Sequence, residues 1–390
     1  MSATLLTDEQ LEIRALAREF AAGEIRPHTA AWDEARALDE GIFAKLGELG
    51  FLGMLVPETY GGLELDPLTY LLVIEELAWG DASVALAVAV QSYPWARILV
   101  RYGSDEQKET WLPRLASGEV IGAFALSEPD AGSDAASLRT RAERDGDGWR
   151  LSGTKRWVTN GQRAGLALVF ARTSEGNGGH GIGVFLVEPS TEGYRVTGRE
   201  TTMGVRASET VTVSLEDVRV GADALVGDAS RGFQYAMETL DMGRCSIAAQ
   251  ALGIARAAYE HAVGYALERE QFGQAIAGFG AIRDKLAEMA RRIEAARALT
   301  HAAIRRLHAT DAPAGPSATA MAAMAKITAS EAAMWVSDEA VQVFGGYGYM
   351  RDYPVEKLMR DAKGTEIYEG TSEILRLVIG RELLRDVRGS

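Results

Sequence analysis

EIYEGTSEIL, residues 366–375, sets a carboxylate, Glu369, between a tyrosine and a glycine just ahead of a helix that starts near Thr371. Glu373 already supplies the negative charge that favours a first helical turn, so capping does not account for Glu369. Other stretches also carry residue types suited to chemistry. FALSEPDAGSD (124–134) joins a strand to a loop rich in hydroxyls and small residues. Backbone amides and Ser127 there could bind a carbonyl-rich ring or a phosphate. In RWVTNG (156–161) Trp157 and Thr159 share one face of a strand, because side chains repeat every two residues. A flat aromatic beside a hydroxyl suits a stacked heteroaromatic cofactor; a core tryptophan is the alternative. EREQFG (268–273) ends a long helix with Arg269 in its last turn, where a cation also offsets the helix dipole. QVFGGYG (342–348) is a helix exit whose glycines also fit a C-cap. Taken singly, each stretch has a structural explanation. Their joint occurrence calls for a functional one.

Several chemistries lack their parts. GNGGHG (176–181) satisfies G-x-G-x-x-G but is followed by the strand GVFLVE instead of a helix, which reads as a hairpin loop and not a dinucleotide site. There is no phosphate-binding G-x-x-x-x-G-K-[ST] loop and no G-x-S-x-G elbow. The five histidines (His28, His180, His261, His301 and His308) form no ligand pair, so no metal site is expected. The single Cys245 can build neither a disulfide framework nor a thiolate metal site. A net charge of −14 repels polyphosphate chains and disfavours nucleic-acid binding. No targeting segment is visible, and the apolar run VALAVAV (84–90) is too short to cross a bilayer. A soluble cytoplasmic protein is the expectation.

The elements that must hold these residues fall into three segments. The 390 residues suffice for two or three domains. Residues 1–118 read as helical: Thr7-Asp-Glu-Gln10 is a capping box, and Asp66-Pro67 opens another helix with Leu71, Leu72, Ile74 and Leu77 largely on one side. Residues 119–228 break into short β-branched and aromatic runs parted by glycine-rich turns such as DGDG (145–148), which suggests an antiparallel sandwich or barrel. Residues 229–390 return to a helical period, with long helices near 231–270, 281–309 and 317–344 parted by breaks such as DAPAGPS. Such helices commonly pack as a bundle.

The motifs FALSEPDAGSD, WVTNG, MGVRASET, TLDMGR, EREQFG, QVFGGYG, YPVEKLMRDAK and IYEGTSE, in this order, resemble the acyl-CoA dehydrogenase family along almost the whole chain. LDMGRCSIAAQALGIA is most similar to the short-chain, butyryl-type branch. The resemblance implies an α+β multidomain fold with an N-terminal α-helical domain, a middle antiparallel β-barrel and a C-terminal four-helix bundle. It implies a homotetramer with one FAD per subunit, and fatty-acid β-oxidation chemistry. Phe124, Leu126, Ser127, Trp157 and Thr159 would hold the flavin ring and ribityl chain, completed by Thr371 and Glu373. Arg269, Phe272, Gln342 and Gly346 would reach the FAD of a neighbouring subunit. Ser133, Asp241 and Arg244 would contact the CoA thioester, and Gly370 would leave room for it.

By the same resemblance Glu369 is the catalytic base. Hydride loss from Cβ of an acyl thioester demands loss of a Cα proton, and a carboxylate must be desolvated to accept it. Ile367, Tyr368 and the acyl chain would exclude water. The Glu369 backbone amide and a ribityl hydroxyl would donate to the thioester carbonyl. The implied reaction takes a short- or medium-chain acyl-CoA to trans-2-enoyl-CoA and passes electrons to an electron-transfer flavoprotein. Isovaleryl- and long-chain-type relatives hold their base where Gly243 stands here. Glutaryl-type relatives keep an arginine in the stretch between Trp79 and Trp95, which here has no basic residue. The nitroalkane oxidases use aspartate as the base. Gly280 and Gly221 depart from the glutamine and proline usual at those positions. Two alternatives remain. One is an acyl-CoA oxidase on the same fold. The other is a DNA-binding flavoprotein relative, disfavoured by a tail in which Arg alternates with Glu382 and Asp386.

Overall fold

Helix α1 (Asp8–Phe20) begins at the expected capping box: Thr7 Oγ1 accepts from Gln10 N at 3.2 Å, and Gln10 Oε1 accepts from Thr7 N at 3.1 Å. The computed structural model describes residues 6–174, 178–309 and 315–388, with side chains to residue 385. Gly176 and Asn177 of the glycine-rich loop, the break at 310–314 and the side chain of Asp386 lie outside the described residues. After α1 come α2 (Thr29–Ala35), α3 (Gly41–Glu48), α4 (Pro67–Gly80), α5 (Ala82–Tyr102) and α6 (Asp105–Ser117). Asp66 caps α4, its Oδ1 accepting from Leu68 N at 2.9 Å and Thr69 N at 3.2 Å, with Pro67 in the first helical position.

The one-sided face expected for α4 is not what forms. Leu68 to Gly80 are buried on every side, because α1, α5 and α7 surround the helix. Glu75 and Glu76 go inside with it, and each is paired. Arg256 reaches Glu75 at 3.0 Å, Arg297 reaches it at 3.0 Å, and Arg14 reaches Glu76 at 2.8 Å. VALAVAV proves to be part of α5, a helix long and apolar enough to span a membrane by length and composition. Most of α5 is buried between α4, α6 and the third segment, which accounts for its apolarity as a core helix.

The middle segment carries β1 (Gly122–Ala125), β2 (Arg141–Asp145), β3 (Gly148–Thr159), β4 (Leu166–Arg172), β5 (Ile182–Val187), β6 (Tyr194–Arg199) and β7 (Thr210–Val220). They form one curled sheet in the order β1-β4-β2-β3-β7-β6, with β5 paired to β4. DGDG makes the two-residue turn of the β2–β3 hairpin, with Gly146 at φ 61°. Most pairings are antiparallel as expected. β1 instead joins β4 in parallel, as β2 does at Arg141, because the β2–β3 hairpin intervenes in the chain between β1 and β4. One face of the sheet encloses Trp149, Leu151, Val158, Val169, Phe185 and Val213. The other packs Leu166, Leu168 and Phe170 against Trp95, Leu99 and Leu115 of α5 and α6.

The third segment holds α7 (Gly232–Glu268), α8 (Gly280–Leu307), α9 (Ala318–Phe344), α10 (Val355–Thr365) and α11 (Ser372–Arg388). α9 packs against α7, α8 and α11, the bundle its amphipathic sequence implies, while α7 also lies along α4 and α5. That approach is close. A Cβ on Gly253 would fall 2.4 Å from the Glu75 carbonyl oxygen, so only glycine fits there.

Two buried charge clusters tie the segments together. Lys357 of α10 lies 2.9 Å from Asp81 and 2.6 Å from Asp361, whose Oδ1 accepts from Val205 N at 2.5 Å. Arg360 and Arg206 meet on Asp33 at 2.9 and 3.1 Å. MGVRASET and YPVEKLMRDAK are thus two sides of one joint. Lys357→Met would leave Asp81 and Asp361 buried without their cation. Unfolding in urea should show a loss of about 3–5 kcal/mol at an unchanged denaturant slope.

Candidate active site

Glu369 lies in the connection between α10 and α11 with left-handed backbone, φ 55°, and Gly370 follows at φ 97°. The first of these costs a residue with a side chain of order 1 kcal/mol, so the turn must be held. Ile367 N donates to Gly364 O at 2.9 Å, and Ser372 N donates to Glu366 O at 3.2 Å. Tyr368 donates its hydroxyl to Gln250 Oε1 of α7 at 3.0 Å, and Lys326 Nζ of α9 donates to the Gly370 carbonyl at 2.7 Å. Thr371 Oγ1 then accepts from Ile374 N at 3.3 Å and starts α11, with Glu373 exposed in its first turn.

The carboxylate of Glu369 is directed at α7. A Cβ on Gly243 would lie 2.8 Å from its Oε2. Oε2 is buried with no hydrogen-bond partner. Removal from water pushes this carboxyl above the usual glutamate range, and the nearby cations Arg244 and Lys326 offset only part of that push. Tyr70 of α4 is within electrostatic reach of Glu369 and accepts a hydrogen bond from Ser246 Oγ at 3.0 Å. Ile367 is 55 % exposed, and the neighbours that approach the acid directly are Gly243 and Arg244 of α7 and Lys326 of α9.

Asp241 and Arg244 are brought to the same place and grip each other. Arg244 Nη1 donates to Asp241 Oδ1 at 2.6 Å, and Thr319 Oγ1 donates to Oδ2 at 2.6 Å. Arg244 is buried, and its Nε, like Glu369 Oε2, has no partner. A polar ligand entering here would find one donor and one base already oriented.

A second group gathers where β1 meets β3. Phe124 packs on Phe170 at 4.9 Å between centroids, and Leu126 is buried. Arg156 N donates to Ser127 O at 2.9 Å, and Lys155 Nζ donates to Leu126 O at 3.1 Å and to Glu128 at 2.7 Å. Trp157 is no core residue. It is 49 % exposed, at φ 58° beside a register shift between Lys155 and Val158. Val158 points into the sheet core, so Trp157 and Thr159 lie on the outer side as their spacing implies. Gly132 adjoins the indole, which brings the loop of exposed Ser133 next to it.

A third group stands apart at the far end of α7. Arg269, Phe272, Phe279, Phe344, Gly346 and Tyr347 line a cavity of about 810 Å³. Phe272 is 94 % exposed, and Gln342 near the end of α9 is exposed as well.

The chain matches three family models in succession. They are the N-terminal domain of acyl-CoA dehydrogenase over residues 7–119, its middle domain over 123–218 and its C-terminal domain over 230–384. It is 44 % identical over 380 residues to an acyl-CoA dehydrogenase of Bacillus subtilis, with 97 % of this chain and 99 % of that protein covered. The chain belongs to the acyl-CoA dehydrogenase family. The short-chain specific acyl-CoA dehydrogenase of Bos taurus mitochondria is 44 % identical over 376 residues, 96 % of this chain and 90 % of that protein. The solved butyryl-CoA dehydrogenase of Megasphaera elsdenii superposes with a TM-score of 0.94 at 41 % identity, covering 98 % of this chain and all of that one.

As an acyl-CoA dehydrogenase family member, the chain is an FAD-dependent oxidoreductase acting on acyl-CoA. The second group fits a flavin: an exposed indole on the sheet, hydroxyls at Ser127 and Thr159, and a β1 end stitched to β3. Trp157→Ala should leave the fold intact, since the ring is half in solvent, but weaken flavin retention about tenfold. FAD content after gel filtration, set beside the melting temperature, checks this. Sequence reasoning missed Lys326 and Tyr70. A visible sign of Lys326 was a single lysine in the alanine-rich stretch 318–333; Tyr70 carried none, being one aromatic in an apolar helix.

Proposed function

We propose that this acyl-CoA dehydrogenase family member converts a straight-chain, short- to medium-length acyl-CoA to its trans-2-enoyl-CoA, with Glu369 as the base. One observation carries the reading: Glu369 Oε2 is buried, unpartnered and part of a carboxyl whose proton affinity is raised by burial. Such a carboxylate accepts a proton from a weak carbon acid that an exposed one would leave alone. Its backbone amide donates to the thioester carbonyl, which spreads the charge left on Cα. Gly370, without a side chain, lets the thioester lie against backbone. FAD, when bound, supplies the hydride acceptor.

Gly243 supports the short- and medium-chain assignment. It faces the carboxylate, so the base stands on 369 with no second acid opposite. The buried, apolar segment Ala82–Ala89 offers no cation for a dicarboxylyl substrate. The exposed cleft at Arg269, Phe272 and Gly346 supports assembly with further copies of the chain, as a homotetramer whose neighbours share FAD contacts. Electrons pass to an electron-transfer flavoprotein on this reading. Saturated acyl-CoAs of increasing length, added anaerobically, should bleach the flavin best at roughly four to eight carbons, and reduction of a flavoprotein acceptor should outpace peroxide release. Best reduction by glutaryl- or isovaleryl-CoA would refute the substrate class. Faster peroxide release would make the protein an oxidase.

A further inference from the structure

The described residues include three fully or nearly buried lysines, and two of them have carboxylate partners. Lys155 meets Glu128 at 2.7 Å, and Lys357 meets Asp81 and Asp361. Lys326 is different. It is completely buried in an alanine-rich stretch of α9, among Ala323, Ala325 and Ala329, and makes no ion pair within 4 Å among the described residues. Its ammonium donates to a single carbonyl, that of Gly370 at 2.7 Å. A buried ammonium without a counterion is costly, and a methionine of similar length would pack there at no such cost. What the lysine gains is its position, one residue beyond Glu369.

We propose that Lys326 is a positioning residue for Glu369: it clamps the Gly370 carbonyl so that the left-handed pair 369–370 holds, and it sets a fixed positive charge beside the carboxylate. The inference rests on the reading of Glu369 as the base. Two anchors hold the turn from opposite sides, Tyr368 on Gln250 of α7 and Gly370 on Lys326 of α9. The charged and titratable groups around it are Tyr70 of α4, Asp241 and Arg244 of α7, Lys326 of α9, and Glu366 and Glu373 flanking the turn. Burial lowers the Lys326 pKa to about 8, against the pull of Glu369, Glu366 and Glu373, so the ammonium stays charged at neutral pH. Arg244 is locked on Asp241, which leaves Lys326 as the described cation near Glu369 without a carboxylate of its own. Its charge favours ionised Glu369. Without it, the carboxyl would hold its proton to higher pH and the base would be spent over more of the neutral range.

The test compares Lys326→Met, which removes clamp and charge, with Lys326→Gln, which keeps a donor for Gly370 but no charge. Flavin bleaching by butyryl-CoA is followed from pH 5 to 9 in FAD-loaded protein, and the Glu369 carboxyl is titrated by infrared difference against Glu369→Gln. Both variants should retain FAD. Loss of one nearby opposite charge should move the acid limb of the rate, and the carboxyl titration, up by about one unit, with bleaching below that limb about tenfold slower. The Gln variant should recover toward the wild-type rate at high pH, and the Met variant should stay slower because its turn is also released. If wild type bleaches but both limbs and titrations coincide with it, Lys326 is structural only and the inference falls. If one variant fails to fold, the other decides. Wild-type protein that never bleaches would overturn the role of Glu369 itself, and this inference with it.

Discussion

Glu369→Gln should yield a protein that folds, binds FAD and binds acyl-CoA, yet reduces its flavin ~10²- to 10⁴-fold more slowly with butyryl-CoA. Glutamine keeps the size of the side chain and one acceptor but not the basic lone pair. Position 243 cannot substitute, being glycine. Stability should move the other way. Burial raises the Glu369 carboxyl, so the folded state binds this proton more tightly than the unfolded chain does. The acid therefore subtracts stability once the pH rises from the ordinary glutamate range through its raised value, and at neutral pH the variant should melt no lower than wild type. A slow variant with an unchanged or higher melting temperature separates lost chemistry from lost structure.

The second large effect is a change of sign. A Cβ at position 243 points at the Glu369 carboxylate from 2.8 Å. Gly243→Glu alone should therefore set two acids in one buried space, displace Glu369 and reduce the bleaching rate. Glu369→Gly alone should lose the base and fall ~10²- to 10⁴-fold. Together, the two changes deliver a carboxylate from α7 to the space vacated on the loop, and should regain about tenfold or more over Glu369→Gly. Rates of anaerobic flavin reduction for the four proteins check this. A double variant no faster than Glu369→Gly would mean that the space facing Gly243 is not where the Cα proton is taken.

Much of the scaffold was legible because local signals were strong. The Thr7 and Asp66 caps, the DGDG hairpin and the long alanine-rich helices each follow from short-range rules, and α7, α8 and α9 run close to the spans their periodicity implies. What was not legible depends on partners distant in sequence. The burial of Glu75 and Glu76 needs Arg14, Arg256 and Arg297 from other helices. The parallel pairing of β1 with β4 is set by where the intervening hairpin folds, which no strand pattern records. At the site, the outward face of Trp157 and Thr159 followed from alternation, but the bulge and the positive φ at Trp157 did not. The neighbours of Glu369 on α7 and α9, Gly243, Arg244 and Lys326, lie over forty residues away in the chain, and no local pattern records them. Lys326 escaped notice because its role exists only when α9 lies against the 366–371 turn.

The most direct test is a single anaerobic mixing of the FAD-loaded wild-type protein with butyryl-CoA carrying deuterium at Cα, beside unlabelled butyryl-CoA. The flavin should bleach with trans-2-enoyl-CoA recovered as the product, and more slowly with the deuterated substrate, because Glu369 must take that atom for the hydride to leave. A flavin that stays oxidised, or one that bleaches at the same rate with both substrates and in Glu369→Gln, would contradict that role for Glu369.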